Sequence, residues 1–176
     1  LYVTGYDVVP GNDAGVHHVI AYIAEPDDVW YYEERDAEEE AAGYSCYGSP
    51  GFPEGGDPRW LGGWAPGGPV NMFPDGTGIP ISADSKVVLQ LHYNVEAAGP
   101  GPDQTQVLVA TEAEVSHPSN IQPWANPGWL YTDEMHIPAN SSGVQHSFSY
   151  APRSDLVIYS ASLHMLELGK SAVARI

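Results

Sequence analysis

The chain has 176 residues, 43% of them hydrophobic, which is enough apolar content for one large domain or two small ones. Six Lys and Arg against 23 Asp and Glu leave a formal net charge of -17. A basic face able to neutralise a phosphate backbone is therefore excluded, and a nucleic-acid partner with it. No stretch approaches the roughly 20 consecutive apolar residues of a membrane-spanning helix, and 19 Gly with 16 Pro argue against a helical bundle, because both interrupt helices.

Residues 1–9 read as a strand that ends at Pro10-Gly11-Asn12-Asp13, a strong turn signal. Residue 1 is Leu rather than Met and already lies in this strand, so a preceding segment is expected to be missing. Residues 16–24, VHHVIAYIA, predict an apolar strand. Pro26-Asp27-Asp28 suits the start of a short helix, and the acid-rich residues 29–42 read as one exposed helix or an ordered loop with solvated carboxylates. Residues 43–78 are rich in Gly, Pro and Trp. They carry Tyr44, Tyr47, Phe52, Trp60, Trp64 and Phe73, too many aromatics for a linker, and read as an ordered loop region packed on a sheet.

Ile79-Pro80-Ile81 and residues 86–94 predict further strands. In the second, Val87, Leu89, Leu91 and Tyr93 share one face, and Val88, Gln90, His92 and Asn94 the other. Residues 96–103 read as a turn-rich hairpin and 106–115 as another strand. Three prolines between His117 and Gly128 mark a boundary, giving a first domain over 1–125 and a second over 126–176. Beyond it a turn at Asn140-Ser141-Ser142-Gly143 precedes a predicted strand at 144–150, and Asn140-Ser141-Ser142 fits the N-glycosylation acceptor pattern.

The seven histidines, His17, His18, His92, His117, His136, His146 and His164, are the informative set. His17 and His18 are adjacent in an otherwise apolar strand, where a buried imidazole needs a hydrogen bond or a metal. Neighbours on a regular strand face opposite sides. Both reach one ion only at a strand end or a bulge, and Gly15 just before them permits that. His92, at the end of an apolar strand, is the natural third ligand. Three neutral imidazoles without a thiolate suit copper or zinc. Other chemistries have weaker signals: there is no Gly-x-Ser-x-Gly elbow, no Gly-rich phosphate loop after a strand, and no neighbour that would activate Cys46. With one cysteine, an internal disulfide framework is excluded.

Several motifs occur in one order: Pro10-Gly11-Asn12, Val16-His17-His18-Val19-Ile20, Tyr44-Ser45-Cys46-Tyr47-Gly48, Trp60-Leu61-Gly62-Gly63-Trp64-Ala65-Pro66-Gly67, Leu89-Gln90-Leu91-His92-Tyr93-Asn94, Leu163-His164-Met165 and Leu168-Gly169-Lys170-Ser171. This ordered set resembles the copper type II, ascorbate-dependent monooxygenases, especially bacterial relatives of the peptidylglycine alpha-hydroxylating and dopamine beta-monooxygenases. The resemblance implies an all-β protein of two jelly-roll-like antiparallel β-sandwiches, each carrying a copper. It implies His17, His18 and His92 as ligands of the electron-supplying copper, and His164 as a catalytic ligand of the copper that activates O2 to hydroxylate a substrate C–H bond.

Two departures follow from the same resemblance. The second histidine of the family's His-x-His strand falls at Leu166, which cannot ligate copper; Glu167 and Met165 would point to the opposite side of a regular strand, and the family's methionine ligand falls beyond residue 176. Cys46 matches a position that is disulfide-bonded in the family, and a secreted or periplasmic location is implied with it.

The sequence thus predicts a complete first sandwich over 1–125 and the opening strands of a second over 126–176, with self-association through the incomplete one. Two functions are open. One is a monooxygenase that uses copper, O2 and ascorbate on a small organic or peptide substrate. The other is a non-enzymatic one-copper module or structural subunit on the same scaffold. Leu166 favours the second for this chain.

Overall fold

The computed structural model describes residues 1–56, 58–98, 101–126, 128–129, 132–165 and 168–176. Its contacts divide the chain into two units, Leu1–Gln122 and Pro123–Ile176. Among the described residues no helix is long and apolar enough to cross a membrane.

The first unit is all-β in class, as its alternating apolar runs predict. β1 (Tyr2–Val9), β4 (Asn71–Met72), β5 (Thr77–Pro80), β7 (Gln106–Glu112) and β8 (His117–Pro118) form one sheet, in which β1 pairs antiparallel with β4, β5 and β7, and β5 pairs parallel with β8. β2 (Val16–Ala24) lies between β3 (Arg59–Trp64) and β6 (Lys86–Tyr93) in a second, antiparallel sheet. Val3, Tyr6 and Val8 of β1, Val16, Val19, Ala21 and Ile23 of β2, Leu61 of β3 and Ile79 of β5 form a single buried cluster, so the two sheets share one core. Fully burying an aliphatic side chain of this size contributes about 1.5–3 kcal/mol.

β3 corrects the expectation of loop throughout residues 43–78. Its sequence, RWLGGW, hides the strand because glycine is poor in strands. The reason for glycine is tertiary: a Cβ on Gly62 would come 2.8 Å from Cγ and Cδ1 of Tyr6. A large ring of one sheet therefore rests directly on the backbone of the other.

α1 (Val29–Glu38) follows a 3-10 turn at Pro26–Asp28. It buries Tyr32, whose hydroxyl donates to the Gly51 carbonyl at 3.1 Å, and it reaches β6 through a Lys86–Glu33 ion pair. The acidic side chains Glu33, Glu34, Asp36 and Glu38 of α1 and the following Glu39 and Glu40 are mostly exposed. Where residues 96–103 read as a hairpin, the described part opens instead with a helical turn, α2 (Val95–Ala98).

Among the described residues of the second unit, where opening strands were expected, no strand is found. Its described residues make a 3-10 turn at Asp133–Met135 and ring contacts of Trp124 with Tyr150 (5.8 Å between centroids) and of Trp129 with Phe148 (5.0 Å). Residues 144–150 alternate as a strand should, but pair with no described neighbour. An isolated extended segment has no ladder to satisfy its backbone, and water takes that role instead. None of the described residues of this unit is buried.

Candidate metal centre

The site is built where β2 begins. The turn before it is closed by Asn12, whose carbonyl accepts from the N–H groups of Gly15 and Val16, both at 3.0 Å, and whose side-chain oxygen accepts from Gly15 N–H at 3.2 Å. Val16 then pairs with Tyr93 of β6, while His18 pairs with His92. Two steps along β2 match one step along β6, so His17 is the inserted residue of a β-bulge. The bulge breaks the alternation that would send two neighbouring side chains to opposite faces.

The outcome is a cluster of three imidazoles. One ring nitrogen from each of His17, His18 and His92 lies within 4.8 Å of the others. Ring centroids are 5.4 Å apart for His17 and His18, 4.8 Å for His17 and His92, and 4.6 Å for His18 and His92. His92 Nδ1 and His18 Nε2 are 2.9 Å apart, a hydrogen bond in which one ring donates and the other accepts. His17 and His92 are exposed and His18 is half-buried, with its Nδ1 buried. Among the described residues this is the one group of three or more His, Cys, Asp or Glu side chains arranged to hold a metal ion.

The donor set fits a transition-metal ion. Imidazole nitrogens suit copper, zinc, iron and nickel. Two nitrogens bound to one ion at about 2.0–2.1 Å lie no more than about 4.2 Å apart, so separations of up to 4.8 Å close with small rotations of the imidazoles.

Toward the middle of the sheet, the face that carries His18 and His92 continues through Ile20 and Gln90, which pair with each other, and Tyr22. Gln90 is 7% exposed, and its amide donates to Cys46 Sγ at 3.4 Å. Cys46 is exposed and unbonded to another cysteine. Burial first, and Cys46 second, push the Tyr22 hydroxyl up to about 12.

The other sequence-derived candidates fall elsewhere. His164 and Met165 are exposed residues of the second unit, and His164 belongs to no such metal-holding group among the described residues. Leu166 and Glu167 lie outside the described residues. Sequence reasoning missed Asp103, which gathers hydrogen bonds beside the His92 end of β6. The signal was present as Asp103-Gln104-Thr105, since an Asp side chain readily accepts from the backbone and hydroxyl two residues on.

No protein-family model, curated protein or solved structure matches the chain.

Proposed function

We propose that this chain is a copper-dependent monooxygenase-like protein in which His17, His18 and His92 form a one-copper redox centre. The observation that carries this reading is the bulge at His17, which turns two adjacent residues and a cross-strand partner into one three-nitrogen site. Copper held there would supply one-electron Cu(I)/Cu(II) chemistry, with ascorbate as the reductant. The chain's own part is to present three neutral ring nitrogens. The proton that His18 and His92 share must leave the 2.9 Å gap before both can act as donors, and a change of tautomer moves it to the other nitrogen of one ring.

Hydroxylation of a small organic or peptide substrate with O2 is the reaction of the resembled family, and the presence of His164 favours it as a second reading. A single imidazole is a weak metal site, so the chain by itself is expected to hydroxylate little or nothing, and a one-copper binding or structural role remains the fuller account. A secreted or periplasmic location belongs to the same reading. Self-association through the second unit is supported by its exposed apolar side chains, among them Val157 and Val173.

Metal analysis of the purified protein after copper loading tests the reading. One copper per chain, lost in His17→Ala, His18→Ala and His92→Ala, supports it. Two coppers with ascorbate-dependent product formation support the full monooxygenase. Retention of copper by all three variants overturns both.

A further inference from the structure

The three ligands sit on two chain segments that meet at a disrupted ladder. A bulge weakens the pairing at the very point where His17, His18 and His92 must be held in register. Beyond it the strands are closed again by Asn94 N–H donating to the Gly15 carbonyl at 2.8 Å. A second tie lies outside the ladder and centres on the Asp103 carboxylate.

Asp103 Oδ2 accepts from the Tyr93 hydroxyl at 2.8 Å, the Thr105 hydroxyl at 2.8 Å and the Thr105 N–H at 3.3 Å. The Thr105 hydroxyl in turn accepts from Gly11 N–H at 3.3 Å. A Cβ on Gly11 would come 2.4 Å from Gln104 N and 2.9 Å from Asp103 Oδ1, so the turn before β2 is packed directly against this backbone. Burial raises the Asp103 carboxyl, but hydrogen bonds from Thr105, Tyr93 and the Asn12 backbone outweigh it and hold it below the ordinary carboxylate value. One carboxylate thus gathers the residue that follows His92 and the turn that precedes His17.

We propose that Asp103 is a positioning residue of the three-histidine centre, fixing the offset between the turn before β2 and the end of β6 so that His92 Nδ1 stays opposite His18 Nε2. It acts through Tyr93 and through the Gly11–Asn12 turn. The inference rests on the reading of the cluster as a copper site, and it also makes a claim about the metal-free protein.

The test compares the whole chain with Asp103→Ala, Asp103→Asn and Tyr93→Phe. Copper(II) affinity is measured by chelator competition, the bound ion by electron paramagnetic resonance, and the metal-free imidazoles by nitrogen-15 NMR. Asp103→Ala is expected to weaken copper binding about 10-fold, the low end of what loss of a supporting hydrogen-bond partner costs a metal site. Stoichiometry should stay at one, with altered resonance parameters and a lost or shifted His18–His92 hydrogen-bond signal. Asp103→Asn, which keeps one acceptor oxygen, should recover part of each effect, and Tyr93→Phe should show an intermediate loss. A lower melting temperature with unchanged affinity, resonance parameters and imidazole signals overturns the proposal. If the wild-type chain binds no copper, the metal reading fails by itself, and the NMR comparison still decides whether Asp103 positions the rings. Asp103→Ala that does not fold leaves Asp103→Asn and Tyr93→Phe to decide it by the same readouts.

Discussion

His18 Nε2 and His92 Nδ1 face each other at 2.9 Å across a strand pair in which these two residues are directly matched. In an antiparallel pair, opposed side chains on one face are the closest cross-strand neighbours. Two of the three ligands are therefore brought together by ordinary pairing, and the third is added by the bulge.

Removing one of the matched pair should remove the site. His92→Ala is expected to weaken copper(II) binding by roughly 100-fold or more, beyond the 10–100-fold cost of losing a mere supporting partner. The fold should survive, because His92 is exposed and outside the core. Chelator competition and far-ultraviolet circular dichroism check the two halves of this statement.

Deleting His17 tests the bulge rather than a ligand. The deletion makes Val16 and His18 successive residues opposite Tyr93 and His92, which restores a regular ladder. Copper affinity should fall as in His17→Ala, while thermal stability stays level or rises, because the unpaired residue is gone. A fall in stability equal to that of a core substitution would show that the bulge serves packing instead.

Gly62→Ala should destabilise the first unit. The added methyl would meet the Tyr6 ring at 2.8 Å, and overpacking of this kind costs about 1–3 kcal/mol. Tyr6→Phe should behave in the opposite way. Among the described residues the Tyr6 hydroxyl is buried without a hydrogen-bond partner, a state that costs about 1–3 kcal/mol, so its removal is expected to leave stability unchanged or higher. Urea denaturation of both variants checks the pair.

Alkaline titration should reveal the buried phenols. Tyr6, Tyr22, Tyr32 and Tyr93 are each pushed up to about 12, chiefly by burial, with Asp7, Cys46, Tyr44 and Asp103 respectively adding to it. Their unfolded value is near 10, so the stability they contribute is whole below pH 10 and is lost as pH rises from 10 through 12. Tyrosinate absorbance at pH 11 in the folded protein should fall well short of the 11 tyrosines, and rise after unfolding to about nine-tenths of their full value, as a phenol of pKa near 10 requires.

The sequence alone determined what depends on local pattern. The apolar run VHHVIAYIA and the alternation in KVVLQLHY announce β2 and β6, the density of Gly and Pro excludes a bundle, and the His doublet with a third histidine at a strand end names the cluster. Tertiary structure decided whatever depends on a partner strand. The bulge at His17 exists only relative to β6, because register is a property of two strands and not of one. The strand at Arg59–Trp64 is hidden by its two glycines, and one of them, Gly62, answers to the Tyr6 ring, a contact between residues far apart in the chain. Residues 144–150 show the converse: their alternation promised a strand, and no ladder formed among the described residues, since a period-2 pattern supplies a face but not the neighbour that satisfies the backbone.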